Sequence, residues 1–400
     1  MTSACRADWE PIKIVQMDGE SVAGELLAQR QIVTESWNRV VAVPYLAYLP
    51  EKDRVCMLVG CDYPHQPLVL FSDDRGATWG EPRPLSPDPK VNAAAGLGTA
   101  LTYLGAGRLI LSAGGRWFSN DYGDTWEGSL PIPPASNGQP WYQWDPYLVD
   151  RDPGTGEVKR LAETGYNWEG GGPGSPTGYE QAFIRFSTDG GRTWGADTAV
   201  PQWHGVSEVA LARAKNGDLV GACRTDMARQ YFGEIDHYEG LGVCLSQDDG
   251  HTWSPVNRLY DYGRHHPSLV LLPTGDLLMT YVVRLGYPRN AEGFPQFGIE
   301  AVVSRDNGAS WDLQHRAVLA KWTGNRTGPN EWWPSSQATS TVLLPDGSLL
   351  TAFGTGYRSQ PSAAGHPAPR DVGLIHWRWA GTIPCAGRRR SSSILHCLAD

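Results

Sequence analysis

A short motif occurs five times along the chain in the form Ser-x-Asp-x-Gly-x-Thr/Ser-Trp. Its first residues lie 47, 68, 59 and 58 positions apart, at Ser72, Ser119, Ser187, Ser246 and Ser304. Asp and Ser side chains can form hydrogen bonds within a turn, Gly adopts positive φ at little cost, and Trp buries a large ring. The motif therefore predicts a structural β-turn without a catalytic role, repeated once per sheet of about four strands.

A second, weaker repeat consists of hairpin-like segments, each with an apolar strand, a Gly- or Asp-containing turn and another apolar strand. The six segments are YLAYLPEKDRVCMLVG, ALTYLGAGRLILSAGG, YLVDRDPGTGEVKRLAET, VALARAKNGDLVGACRT, SLVLLPTGDLLMTYVV and STVLLPDGSLLTAFGT. Only the last has no motif copy after it. This pattern predicts an all-β, six-bladed β-propeller whose last blade is completed by strands from both chain ends.

The repeats also predict the domain organisation. Residues 1–36 supply early strands that contribute to closing the propeller, and residues 37–380 form the six blades. Residues 381–400 contain a basic cluster and no strand pattern, so we expect a disordered tail. The 47 glycines, the 30 prolines and a charged fraction of only 19% are typical of a chain with many tight turns and few long helices.

Charge and cysteine content exclude several classes of function. A net charge of -9 argues against binding to nucleic acid or to anionic membrane surfaces. The seven cysteines form no CxxC pair, so neither a zinc site nor a disulfide framework is indicated, and we predict no metal and no cofactor. No secretory signal and no membrane-spanning apolar run is visible, which predicts a cytoplasmic protein with secretion left open. The oligomeric state stays open.

The five motif copies are Asp-boxes, and Asp-boxes on a six-bladed repeat resemble the sialidase (neuraminidase) superfamily across roughly residues 37–380. The resemblance implies an active site at one end of the central channel. It also implies exo-acting hydrolysis of a glycan that ends in an acidic sugar, sialic acid or a related one. In that family three arginines from separate blades bind the sugar carboxylate, because guanidinium groups match its geometry and keep their charge.

The family pattern can be carried over to five residues of this chain. Arg39, which opens RVVAVPYLAYLP, is similar to the first substrate-binding arginine, although Pro44 is displaced from the family position. Asp62 lies 23 residues after Arg39 and 10 before Ser72, which matches the acid/base aspartate. Glu208 and Arg224 are sixteen residues apart across one hairpin, which matches a base glutamate and the second arginine.

The third arginine should precede the last Asp-box. Arg284, in LLMTYVVRLGYP, is the better match, and Arg289 is the reserve. The family uses a tyrosine as its nucleophile, because a neutral group is not repelled by the substrate carboxylate. The expected position falls near Ala338, where no tyrosine occurs; Tyr281, Tyr287 and Tyr357 are the possible replacements.

Three interpretations follow from this departure. The chain is a sialidase with a displaced tyrosine, a glycosidase for another acidic or neutral glycan, or a glycan-binding propeller without turnover. The aromatic segments QPWYQWDPY and NEWWP are typical both of sugar stacking and of packing between blades. His265 and His266 stand at a strand entrance, where an imidazole that faces the channel could assist proton transfer.

Overall fold

The structure is a computed structural model that describes residues 8–168, 179–226, 239–285, 296–324, 332–333, 338–359 and 368–379. In these residues the chain contains 25 β-strands, one short α-helix, Pro89–Ala95, and two 3₁₀ turns, Glu35–Trp37 and Pro50–Lys52. The predicted all-β, propeller-like architecture is confirmed. Among the described residues, no helix has the length and the apolar character that crossing a membrane requires.

The strands form four four-stranded sheets and one nine-stranded sheet, all with antiparallel pairing along the chain. The N-terminal hairpin is β1 (Glu10–Asp18) and β2 (Ser21–Ile32). The four-stranded sheets are β3 (Val41–Leu49), β4 (Arg54–Cys61), β5 (Gln66–Ser72) and β6 (Arg83–Pro84); β7 (Gly98–Gly105), β8 (Arg108–Ala113), β9 (Arg116–Ser119) and β10 (Glu127–Leu130); β11 (Leu148–Arg151), β12 (Val158–Trp168), β13 (Glu180–Ser187) and β14 (Thr198–His204); β15 (Val206–Arg213), β16 (Leu219–Thr225), β17 (Gly240–Ser246) and β18 (Asn257–Tyr260). The remaining strands are β19 (Arg264–Leu271), β20 (Leu277–Leu285), β21 (Gln296–Ser304), β22 (Ala317–Thr323), β23 (Thr339–Leu343), β24 (Leu349–Tyr357) and β25 (Arg370–Trp377).

The nine-stranded sheet has the order β19-β20-β21-β22-β1-β2-β25-β24-β23. Within it, β1 pairs with β22 through only two residue pairs, Val15↔Val318 and Gln16↔Ala317. By contrast, β2 pairs with β25 over four residue pairs, from Gln29↔His376 to Ile32↔Gly373. A strand from the beginning of the chain therefore lies beside a strand from its end.

The five Ser-x-Asp-x-Gly turns share one hydrogen-bond pattern. In the first copy, Ser72 Oγ donates to Asp74 Oδ1 at 2.7 Å and accepts from the N–H of Gly76 at 2.7 Å. The other oxygen of Asp74 accepts from the Thr78 hydroxyl at 2.7 Å. Gly76 has φ of 93°, which favours glycine because a side chain is strained there. The serine, aspartate and threonine side chains of the motif therefore form hydrogen bonds within the turn.

Apolar side chains of neighbouring sheets form the core. Val55 and Met57 of β4, for example, belong to one buried cluster with Leu350 and Ala352 of β24. The first motif tryptophan, Trp79, is 1% exposed and lies in the same cluster. The ring of this motif tryptophan therefore fills space between sheets, as the motif predicts.

A central cavity of about 220 Å³ lies where all five sheets meet. Six strands, or the residues directly before them, line it: β3, β7, β11, β15, β19 and β23. Each of these is the first strand of a run of paired strands along the chain. The side chains at the ends of these six inner strands are therefore brought close to one another.

Candidate functional site

The five residues predicted from the sequence lie at strand ends that antiparallel pairing brings to one side. Arg39 precedes β3, and Asp62 directly follows β4. Glu208 lies at the start of β15, and Arg224 lies near the end of β16. Arg224 is the antiparallel partner of Ser207, the residue before Glu208. Arg284 lies near the end of β20. In an antiparallel sheet the start of one strand and the end of the next share an edge. We call this edge the site end.

Glu208 is buried at the site end between Arg224 and His266. Arg224 Nη1 donates to Glu208 Oε1 at 2.7 Å, and His266 Nδ1 lies 3.4 Å from Glu208 Oε2. Burial alone would raise the pKa of Glu208, but the charge of Arg224 and the contact with His266 outweigh it and lower the pKa to about 2. Glu208 is therefore an ionised carboxylate with fixed orientation at every working pH of an enzyme.

Glu208 and His266 are positioned by the same backbone feature, a β-bulge with positive φ. Glu208 and His266 have φ of 46° and 52°, the left-handed region that costs energy for residues other than glycine. Each sits in a register shift of its inner strand, in β15 between Ser207 and Val209 and in β19 between His265 and Ser268. Bulges of this kind change the direction of a side chain. The bulges let Glu208 and His266 meet across two neighbouring strands.

Asp145 is a second buried carboxyl group beside Glu208. It lines the central cavity together with Tyr45 and His266, and it is 4% exposed. Burial, followed by the negative charge of Glu208, raises the pKa of Asp145 well above its usual range. The described residues form no hydrogen bond with its carboxyl oxygens. Asp145 is therefore a neutral acid that faces the cavity, next to an ionised partner.

Two tyrosines complete the surroundings of Glu208. The Tyr45 hydroxyl donates a hydrogen bond to the carbonyl oxygen of Trp144. The rings of Trp144 and His266 meet edge-on, with their centroids 6.3 Å apart. Burial, and then the nearby carboxyl groups of Asp145 and Glu208, raise the pKa of Tyr45. Burial and the charge of Glu208 likewise raise the pKa of Tyr166, on β12. Both hydroxyl groups therefore keep their protons, and that of Tyr45 is used in the hydrogen bond to Trp144.

Arg39 and Asp62 form a two-pronged ion pair. Arg39 Nε donates to Asp62 Oδ1 at 2.9 Å, and Nη2 donates to Oδ2 at 2.6 Å. The side chains are 41% and 42% exposed. The hydrogen bond from Arg39 holds the pKa of Asp62 below its ordinary value, although partial burial opposes this. The two residues predicted for carboxylate binding and for acid/base work thus bind each other.

Arg284 is also at the site end, and it lies close to Arg370, the first residue of β25. Arg370 is 6% exposed, and its N–H donates to the carbonyl oxygen of Arg39 at 3.2 Å. Burial lowers the pKa of Arg370; the Tyr357 phenol opposes this, and the positive charge of Arg284 lowers the pKa further. Arg39 and Arg224 thus each bind a protein carboxylate, and Arg284 lies close enough to Arg370 for its charge to lower the pKa of Arg370.

A cluster of three carboxyl groups lies behind Arg224. The ligand oxygens of Glu180, Asp226 and Glu239 all lie within 4.8 Å of one another, the distance that a metal ion could bridge. Arg224 forms an ion pair with Glu239, and the N–H of Glu180 donates to Asp226 Oδ2 at 3.1 Å. Burial and the contact with Asp226 raise the pKa of Glu180 to about 8. One arginine and one proton thus supply the positive charge that a cation would otherwise supply.

Several other sequence candidates take structural places or lie outside the described residues. Tyr281 is fully buried and shares a hydrogen bond with Tyr260. Tyr260 belongs to β18, and Glu208 belongs to β15, the strand at the opposite edge of the same four-stranded sheet. Trp141 packs against Phe183, and Trp332 is buried in a core cluster. Tyr287, Arg289 and the tail at 381–400 lie outside the described residues.

The sequence reading missed three members of the site: Asp145, Tyr166 and Arg370. Asp145 lies within the aromatic segment QPWYQWDPY, in which only the rings indicate a role, and Tyr166 stands in an ordinary strand pattern. Arg370 begins the strand that the chain end supplies. No local motif marks them, because their position at the site depends on how separate sheets meet.

The fold is similar to that of several solved structures. A protein of unknown function from Dyadobacter fermentans aligns with 92% of this chain and 99% of its own, at 16% identity and a TM-score of 0.60. The Hadza microbial sialidase Hz136 aligns with 91% of this chain and 73% of its own, at 12% identity and a TM-score of 0.57. The NanB sialidase of Streptococcus pneumoniae aligns with 84% and 68%, at 13% identity and a TM-score of 0.53.

No protein-family model matches the chain, and no curated protein matches it. At such low identities the similarity concerns the fold: the chain has the propeller-like fold that sialidases also adopt. Activity has to be argued from the site itself.

Proposed function

We propose that the chain is an exo-acting glycoside hydrolase of sialidase type that acts on a terminal acidic sugar, sialic acid or a related one. The observation that carries the proposal is the group around Glu208. A buried, ionised carboxylate is held by Arg224 and His266 on strained backbone, and the neutral acid Asp145 lies beside it. Groups of one chemical type whose environments push their pKa values apart are typical of acid–base sites.

The architecture that we propose has six blades with Asp-box turns. The nine-stranded sheet divides into β19–β22 and into β23, β24, β25 and β2, with β1 between the two parts. Each part then has four strands, like the other sheets. Six inner strands around one cavity, and five turns with the same hydrogen-bond pattern, support this division. Residues 1–36 then close a propeller that spans 37–380.

In the proposed reaction, Asp62 is the acid/base, while Arg39, Arg224 and Arg284 provide the positive charge for an acidic sugar. Ionised Glu208 faces the region where positive charge develops on the sugar ring in an oxocarbenium-like transition state. The protonated phenols of Tyr45 and Tyr166 lie near this carboxylate. Since the pKa of both tyrosines is raised, neither is preformed as a nucleophile, and the stereochemical outcome is left to experiment.

The first experiment measures hydrolysis of fluorogenic sialosides and glucuronides between about pH 4 and 8, where such carboxylates titrate. We expect turnover by the natural chain and a loss of kcat of about 100-fold or more in Glu208→Gln, because the ionised carboxylate is removed. Glu127→Gln, an exposed residue paired with Arg192, is the control and should keep its full rate. Absence of turnover over the whole pH range rejects the proposal.

The second candidate function is a glycan-binding propeller without turnover. It is favoured by one observation: Asp62, the proposed acid, is held by Arg39 in the ionised state. A binder would show measurable affinity for a sugar acid and no product after long incubation. Turnover that disappears in Asp62→Ala would exclude this candidate.

A further inference from the structure

The Arg39–Asp62 ion pair is the one that an incoming anion can reach most easily among the pairs of the proposed site. Both of its side chains are about two-fifths exposed, and its two hydrogen bonds form the flat fork that any carboxylate fits. In the pair of Glu208 and Arg224, the side chains are only 5% and 13% exposed. A substrate carboxylate would therefore meet Arg39 before it met Arg224.

The cost of opening the two pairs differs by orders of magnitude. An exposed ion pair changes an equilibrium by less than about fivefold, since water replaces the lost contact. Separation of a buried pair costs roughly a hundredfold to several thousandfold, because a charge is left without a partner in a region of low dielectric. Exchange of partners is thus easy at Arg39 and prohibitive at Arg224.

The chemistry of a glycosidase requires a proton donor, and Asp62 cannot be one while Arg39 holds it. The hydrogen bond from Arg39 is the largest cause of its lowered pKa. The other groups that face Asp62 are Cys61, whose Sγ lies 3.9 Å from Oδ1, and His65. Arg370 acts on His65 and donates its N–H to the Arg39 backbone. Arg39 is therefore the partner that decides the protonation of Asp62.

We propose that the carboxylate of an acidic sugar displaces Asp62 from Arg39, so that binding of the substrate itself releases Asp62 to act as the acid. The released Asp62 takes a proton from solvent. As the glycosidic C–O bond breaks, that proton passes to the leaving oxygen, and water adds to the anomeric carbon and returns a proton to Asp62. The inference rests on the proposed function for the identity of the site, and it couples substrate choice to catalysis.

Calorimetry with N-acetylneuraminic acid and glucuronic acid tests the exchange without any need for turnover. Binding measured at pH 5 to 6 in two buffers of different ionisation enthalpy reports proton uptake. We expect the natural chain to take up a fraction of a proton on binding and to bind more tightly as the pH falls, since Asp62 gains a proton when it leaves Arg39. Uncharged N-acetylmannosamine should produce no uptake.

Two variants sharpen the test. Asp62→Asn removes the competitor, so this variant should bind the sugar acids up to about fivefold more tightly than the natural chain, with no proton uptake. Arg39→Gln should lose the preference for acids over uncharged sugars. Arg54→Gln, at the other end of β4 and paired with Asp73, is the matched control and should behave like the natural chain.

The outcomes separate this inference from the proposed function. Weaker binding in Asp62→Asn, or the same pH dependence in that variant, overturns the exchange even if the chain hydrolyses sialosides. Absence of binding of either acid up to about 10 mM also overturns it. Proton uptake that depends on Asp62, in a chain that releases no product, would keep the exchange and reject the hydrolase.

Discussion

Two glutamates at the site end have opposite protonation states although they are the same kind of residue. Glu208 has a pKa of about 2, since Arg224 and His266 outweigh its burial. Glu180 has a pKa of about 8, because burial and the contact with Asp226 act in the same direction. The sign of the neighbouring charge therefore decides the state of each buried carboxyl group. Arg224 contributes to both, since it lies between the two groups.

The protonation of Glu180 predicts how stability depends on pH. Its folded pKa lies above the ordinary value of 4.5, so between about pH 4.5 and about 8 the folded chain holds a proton that the unfolded chain has lost. The free energy of unfolding should therefore fall as the pH rises through this range, by at most about 1.4 kcal/mol per pH unit for one proton. In Glu180→Gln this contribution should disappear.

Urea denaturation at pH 5, 6, 7 and 8 measures this effect. Glu157→Gln, an exposed residue in the turn before β12, should keep the slope of the natural chain. If Glu180→Gln retains the same slope as Glu157→Gln, Glu180 is not the group that binds the extra proton.

At the scale of single elements, the five motif turns act as independent units, since the Ser, Asp and Thr or Ser side chains of each turn form hydrogen bonds with one another. Asp74 accepts hydrogen bonds from the Ser72 hydroxyl and from both the N–H and the hydroxyl of Thr78. The fourth copy repeats the arrangement with Ser246, Asp248 and Thr252. Such turns keep their shape wherever the sequence occurs, which is why they recur unchanged while the loops between them vary.

Asp74→Ala should therefore destabilise the chain by about 1–3 kcal/mol, because the Thr78 N–H and two hydroxyl groups lose their acceptor. Asp248→Ala should also destabilise the chain, and the double variant should show the sum of the two effects, since the two turns belong to different sheets. Glu81→Ala, just after the first motif, should change stability by less than about 0.5 kcal/mol. A double variant far from additive would show that the turns are coupled.

How well each feature could be predicted from the sequence depends on how local it is. The turns and hairpins were predictable because their residues are close in sequence, and the contact of Glu208 with Arg224 lies within one hairpin. The contact of Glu208 with His266 joins two sheets, so no spacing indicates it. The nine-stranded order was equally hidden, since β1 meets β22 through only two residue pairs.

At the scale of the whole molecule, the two ends of the chain are joined beside the site end. Val33 donates its N–H to the carbonyl oxygen of Val372 at 2.9 Å. The Thr34 hydroxyl donates to Asp371 Oδ1 at 3.0 Å and accepts from the N–H of Val372 at 3.1 Å. Thr34 is fully buried, and it lies 337 positions from Asp371 in the sequence. Since residues that are far apart in the chain meet at this joint, its loss should weaken the whole arrangement.

Thr34→Val removes the hydrogen bonds of this joint with almost no change in side-chain shape. The variant removes one hydroxyl group and leaves the Val372 N–H and one oxygen of Asp371 without this partner in a buried region, so the free energy of unfolding should fall by about 1–3 kcal/mol. Because the joint holds the two chain ends, the loss should appear as a lower midpoint of the main unfolding transition with an unchanged dependence on denaturant. Thr155→Val removes a hydroxyl from an exposed turn and should leave the midpoint in place. Equal midpoints for the two variants would mean that the hydrogen bonds of Thr34 contribute nothing to the stability of the fold.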